Sequence, residues 1–263
     1  MSYTNYNHEY RRNKLREPAQ LTSDADLWTP TSTQKHMLGC IFETNDGREF
    51  RYCKNDSTEI AKAQVIAAQV VDAQQKGKVQ TSYGAAAGSV KFDAVFTTGS
   101  LITDDELIDG WLLVNDGSTA AMGDLYIIKH NTWITGDTIM RIEIADAGGL
   151  RNVLAATDDL TIIKNQYHEV VVKPTTLVAP IVGVTVSLVP ASYYFWAQTR
   201  GVCSVFMDDG DDVLVGDPVG HIDASTAEGA VGLVASAATD CILGTCIYDG
   251  AVSEAGLINL LIP

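Results

Sequence analysis

Positive charge is scarce in this chain: 18 Lys and Arg stand against 33 Asp and Glu, a formal net charge of -15 over 263 residues. A surface of that sign repels a phosphate backbone, which excludes broad nucleic-acid binding. Metal-ligand spacing is missing as well. The five cysteines, Cys40, Cys53, Cys203, Cys241 and Cys246, form no C-x-x-C pair, and zinc ligation needs tighter spacing with histidine nearby. His8, His36, His130, His168 and His221 are scattered, without an H-x-x-x-H or H-E-x-x-H pattern. No Ser or Cys sits in a nucleophile-elbow context, and no Gly-Lys-Ser/Thr accompanies the glycines of residues 84–88, so covalent catalysis and phosphate cradling have no signature here. No apolar run reaches the ~18 residues of a membrane span. No signal-peptide apolar region follows Met1, and a reducing cytosol is the expected place of synthesis. No internal repeat marks a solenoid or propeller.

What is present is β-patterned. Residues 40–42 and 50–53 are apolar runs separated by Asn45-Asp46-Gly47, a hairpin signature in which Asp-Gly supplies the positive-φ turn. Further strands are expected at 90–96, 110–114, 125–129, 138–144 and 160–163, with Asp109-Gly110, Asn115-Asp116-Gly117, Gly123-Asp124 and Gly136-Asp137 between them. Strands at intervals of roughly ten residues, separated by turn residues, mark an all-β barrel or sandwich. Asp56 and Glu59 have capping-box spacing ahead of Ile60, Ala63, Ala67 and Val70, which predicts a helix over 58–75; the β-branched Val65, Ile66, Val70 and Val71 make a strand the competing reading. Residues 178–189 alternate small and branched side chains between Pro174, Pro180 and Pro190, the pattern of an edge strand or a crossover.

The division expected from these signals is an extended arm over residues 1–45, a first β-rich module over 46–174 and a second over 175–263, with at most one or two short helices. The arm differs from the body. Residues 1–20 hold Arg11, Arg12, Lys14 and Arg16 against Glu9 and Glu17, net +2, and the rest of the chain carries 14 basic and 31 acidic residues, net -17. Tyr3, Tyr6, Tyr10 and Trp28 lie in it without helical or strand period. Such a segment buries too little apolar area to order itself, while its aromatics offer contact area at low rotamer cost. It reads as a strap for an acidic partner surface; folding back onto its own body explains the same letters.

The last module opens on Tyr193-Tyr194-Phe195-Trp196. In a strand Tyr194 and Trp196 share one face and Tyr193 and Phe195 the other, so one pair fills a core while the other meets the arm, a partner or a sugar. Next come Asp208-Asp209-Gly210-Asp211-Asp212, Val213-Leu214-Val215 as a short extended run, and Gly216-Asp217-Pro218-Val219-Gly220-His221. The carboxylates lack the D-x-D-x-D-G spacing of a calcium loop, so an Asp-Gly turn is the simpler account than a cation site. His221 near Asp217 and Asp223 has no nucleophile beside it.

The stretch from Tyr194-Phe195-Trp196-Ala197-Gln198-Thr199-Arg200-Gly201 through Asp209-Gly210 to Val215-Gly216-Asp217-Pro218-Val219 resembles the C-terminal module of capsid decoration (cement) proteins of tailed bacteriophages. Phe50-Arg51-Tyr52, Gly110-Trp111-Leu112-Leu113-Val114-Asn115-Asp116-Gly117 and Val171-Val172-Lys173-Pro174 also resemble segments of longer members, so the likeness covers about residues 48–263. It implies a non-enzymatic virion protein, made in the host cytoplasm and seated on the outer face of the phage head. There it would clamp neighbouring major capsid subunits, often as a homotrimer, with dimers and monomers also known. Neither cofactor nor metal is implied. The expected partner contacts are Tyr3, Tyr6, Tyr10, Arg11, Arg12, Arg16 and Trp28. The alternative is a carbohydrate- or receptor-binding head-fibre module using Tyr194 and Trp196.

Overall fold

The computed structural model describes residues 25–77, 79–81, 84–96, 102–116, 120–132, 139–208, 213–221, 227–234, 241–250 and 254–262. Two β-structures share the chain. Six strands, β4 (Val79–Thr81), β5 (Lys91–Phe96), β6 (Trp111–Asp116), β7 (Leu125–Asn131), β8 (Ile139–Ile144) and β9 (Asp159–Ile163), close into a barrel of order β4-β5-β8-β7-β6-β9. Alternation drives the closure. Phe92, Ala94 and Phe96 of β5, Leu112 and Val114 of β6, and Tyr126 and Ile128 of β7 point inward with Met140, Ile142, Leu160 and Ile162. A period of two puts every second side chain in one core, and closing the sheet leaves no strand edge bare.

The other strands form one ten-stranded sheet. They are β1 (Ile41–Glu43), β2 (Glu49–Lys54), β3 (Val65–Ala67), β10 (Val171–Val172), β11 (Ile181–Thr185), β12 (Tyr194–Phe206), β13 (Pro218–His221), β14 (Gly232–Leu233), β15 (Cys241–Tyr248) and β16 (Ala255–Leu261), in the order β10-β3-β11-β12-β16-β15-β13-β14, with the β1–β2 hairpin joined through β2 to β12. Its spine is β12. Residues 194–200 pair with β2 and residues 200–206 with β16. The handover falls at Gly201, whose φ is +83° and where a Cβ would lie 3.2 Å from the Arg48 Cα. A side chain there would be strained in backbone and crowded by the hairpin turn.

The mainly β, barrel-containing fold matches the sequence reading; among the described residues the helical elements are a four-residue helix, α1 (Ala25–Trp28), and a 3₁₀ turn at Ala73–Gln75. Four local expectations change. The helix expected over 58–75 is instead an irregular segment holding the three-residue strand β3: Asp56 Oδ1 accepts the Thr58 N–H at 2.7 Å, an Asx turn rather than a cap. Ala63 then has φ +64°, and Val65, Ile66 and Ala67 pair on both sides as β3. With both faces of β3 buried, tertiary packing settles the ambiguity in favour of the β-branched residues. Second, β11 is not an edge strand, since it pairs with β3 and β12 while Pro180 stays outside its bounds. Third, Val213-Leu214-Val215 is not extended; it leads into a turn with Leu214 and Val215 exposed. Fourth, the sheets do not divide at residue 174: β1–β3 belong with the strands beyond 170, and the barrel lies between the two parts.

Candidate functional site

The part of the arm that is described, residues 25–45, lies on its own sheet. Thr31 and Tyr194 exchange two backbone N–H···O bonds of 2.8 Å, and the Lys35 N–H donates to the Tyr52 hydroxyl at 3.0 Å. The His36 ring enters an aromatic group, with its centroid 5.1 Å from Tyr52 and 5.2 Å from Trp196. Tyr52 also stacks on Tyr194 at 6.0 Å and tilts against Trp196 at 5.0 Å, and Phe42 closes the far side at 5.9 Å. Burial lowers the His36 pKa, opposed in part by Asp26, so the ring is held toward its neutral, apolar form.

A shallow recess remains between arm and sheet, lined by Asp26, Thr31, Lys35, His36, Tyr52 and Tyr194. Its cavity volume is about 10 Å³, room for about one water molecule and far below the ~300–1,000 Å³ common for small-molecule pockets. Trp196 is only 2% exposed, so neither face of its indole is offered to solvent. Phe195 is buried as well, whereas Tyr193 and Tyr194 are half-buried. The Tyr194/Trp196 face therefore meets the arm, as one branch of the sequence reading expected.

Beside this recess stands Trp28. It is 41% exposed, sets its edge on Phe50 at 6.4 Å, and has the Arg48 guanidinium 5.7 Å from its ring centroid. Of the partner contacts expected from sequence, Trp28 is the one within the described residues; Tyr3, Tyr6, Tyr10, Arg11, Arg12 and Arg16 lie outside them. Asp209, Gly210, Asp211 and Asp212 also lie outside, and Asp208 is buried.

Two polar groups were missed by the sequence reading. In the large sheet Lys173 is fully buried, with Nζ 3.2 Å from Nδ1 of the equally buried His221. Burial lowers the Lys173 pKa, against the pull of Asp208 and Glu228. The lysine directly after three valines in Val170-Val171-Val172-Lys173 was the available signal. The second group joins the two β-structures. Lys164, just after β9, meets Glu106 at 2.5 Å and Glu169 at 2.8 Å, and Lys54 of β2 lies 3.4 Å from His168 Nε2. Its members are far apart in sequence, so only the fold brings them together. Burial and the neighbouring Lys54 push the His168 pKa down to about 4.

All five cysteines are free thiols. Burial pushes the thiols of Cys40 and Cys203 up to about 12, so neither is a ready nucleophile. Among the described residues no group of three or more His, Cys, Asp or Glu could hold a metal ion, and no helix is long and apolar enough to cross a membrane. Comparison of the chain with protein-family models, with curated proteins and with solved structures returns no match.

Proposed function

We propose that this chain is a structural virion subunit, a decoration or cement protein that binds the outer face of a tailed-phage head. It clamps neighbouring major capsid subunits, with the N-terminal arm as the strap and a homotrimer as the working assembly. The observation that carries this reading is the setting of Trp28. A large ring stays 41% exposed beside a guanidinium, directly after the tyrosine- and arginine-rich residues 1–24. Exposed Trp and Arg side by side are the composition of an interface anchor rather than of an idle surface. The net charge of -15 also suits an outer surface better than one facing packaged DNA. With Trp196 2% exposed and the recess too small for a sugar ring, the aromatic face lacks an open stacking platform, which favours this reading over sugar binding.

The test is co-sedimentation with undecorated phage heads. A protein starting at Cys40 is a poor probe, because its removal of His36 uncovers Trp196 and Tyr52. Substitutions avoid this. Trp28→Ala is expected to cost ~2 kcal/mol or more of binding, roughly a 30-fold loss of affinity. The triple exchange of Arg11, Arg12 and Arg16 to Glu is expected to weaken attachment, most clearly at low salt. Unchanged occupancy for both proteins would remove the strap, and glycan binding lost in Tyr194→Ala would replace it with the head-fibre reading.

A further inference from the structure

The large sheet turns one face of β12, β16 and β15 into a core and the other outward. Cys203, Val205, Cys246, Ile258 and Leu260 point inward, and the residues that alternate with them point out. The outward rows run across the strands as Arg200–Leu261, Val202–Asn259–Thr245–Pro218 and Ser204–Leu257–Tyr248, with Phe206–Ala255 at the end. A bulge after Cys246 exposes Ile247 beside Tyr248. Val202, Leu261 and Tyr248 are 50%, 63% and 60% exposed. The face is mixed, with Ser204, Thr245 and Asn259 among the apolar side chains, yet no carboxylate stands in these rows of a chain that has 33. Its one charge, Arg200, is paired with Glu49 at 2.9 Å. Asp249 follows β15, Glu254 precedes β16, and Asp217 lies at the border with its Oδ2 accepting the Leu214 N–H at 2.9 Å inside its own turn.

We propose that this face packs against the same face of a second copy of the chain. Charge selects the occupant. Two bodies of net charge -15 repel wherever their carboxylates meet, and this face lets them approach without a like-charged pair. A self-association contact needs a patch that matches itself, and an uncharged face does so. A strongly basic or acidic partner would find nothing on it to pair with. The composition is that of an interface centre, where charge is depleted and aromatic and aliphatic groups are kept. Area points the same way. The turn that holds Leu214 and Val215, 68% and 75% exposed, is bonded to β15 at Cys246 and widens the face. Together these side chains offer on the order of 800 Å², the area per partner of a standard stable interface. The inference deepens the homotrimer reading above and rests on it for the number of copies, three such faces then meeting round one axis.

The experiment is sedimentation equilibrium of the full chain without phage heads. The unsubstituted protein is expected at a multiple of the single-chain mass. Val202→Glu and Leu261→Glu each place an unpaired carboxylate in the contact and should weaken association roughly 100-fold or more. Ile139→Glu, at a 49% exposed position on the barrel, should leave it unchanged. Far-UV circular dichroism checks that each protein folds. Where a face variant does not fold, benzoylphenylalanine in place of Tyr248 gives the second readout: photolysis should join two chains through β12, β15 or β16. A single-chain mass for the unsubstituted protein overturns the proposal, while co-sedimentation with heads remains the separate test of the strap. Equal loss in Ile139→Glu, or an unchanged mass in both face variants, also overturns it and leaves any trimer to another surface.

Discussion

Trp196→Ala tests the packing on which the arm's seat depends. The indole touches His36, Phe42 and Tyr52 at centroid distances of 5.2, 5.9 and 5.0 Å and is 2% exposed. A Trp side chain buries on the order of 200 Å², which at ~25 cal/mol per Å² is about 5 kcal/mol. That is an upper bound, because real unfolded chains keep some of this area covered. Large-to-small substitutions at such sites cost ~3–5 kcal/mol. The four rings here come from β1, β2, β12 and the arm, so the hole cannot collapse by moving one element. About 4 kcal/mol is therefore expected, and with a urea slope of ~2–3 kcal/mol/M the midpoint should fall by roughly 1.5–2 M. Far-UV circular dichroism is the readout, since the substitution removes a fluorophore. Trp111→Ala, at a 40% exposed position on the barrel wall, serves as the control and should cost under ~1 kcal/mol. A loss under ~1 kcal/mol for Trp196→Ala would refute the reasoning, because it would mean that arm and hairpin close over the cavity at no cost.

Three other outcomes are expected. His168 titrates near 4 in the folded chain against its ordinary 6.5, so its contribution is complete above pH 6.5. It is lost as pH falls toward 4, at up to about 1.4 kcal/mol per pH unit; His168→Gln should flatten that slope in urea titrations, and parallel slopes would dismiss the assignment. Lys173 has its pKa lowered by burial, so the unfolded chain holds the proton more tightly and stability should rise with pH through the window between the lowered value and the ordinary 10.5. Lys173→Met should be neutral or stabilising at pH 7 and should remove that rise; a loss beyond ~3 kcal/mol would show that the ammonium is needed. Lys164→Met leaves Glu106 and Glu169 facing each other; about 2–4 kcal/mol of loss is expected, with faster amide exchange in β9 and β10 than in β5. Uniform exchange across the three strands would contradict a role for Lys164 in joining barrel to sheet.

Strands β5 to β8 of the barrel were legible from sequence because each has one buried and one outward face, so a period of two survives in the letters, as in Lys91-Phe92-Asp93-Ala94-Val95-Phe96, whereas β4, only three residues long, was not among the expected strands. β3 was ambiguous for the opposite reason: buried on both sides, Val65-Ile66-Ala67 has no polar face to reveal its period. The grouping of strands into sheets was hidden by long-range pairing. Nothing local tells Phe50 that its partner is Gln198, and nothing near Glu106 announces Lys164. At the candidate site, Trp28 and the Tyr194/Trp196 face were visible as unusual aromatics. Which ring stays exposed depends on His36, a residue that the spacing rules left unassigned.

The pairing of β3 with β10 also constrains how this chain becomes structured. Ala67 and Val171 are cross-strand partners, and the whole barrel lies in the intervening stretch of about a hundred residues. Joining those two strands around an unformed chain means closing that entire stretch as a loop. Once the barrel has formed from its own contacts, only its two short tethers remain to be closed. The logarithmic loop law makes this about 2 kcal/mol cheaper for an effective length of roughly ten residues. The barrel is thus a molecular buckle: fastened first, it holds the two halves of the large sheet within reach of each other. Pulse-labelled hydrogen exchange during refolding should find β5 to β8 protected before β3 and β10, and the reverse order would show that the sheet forms around an open loop.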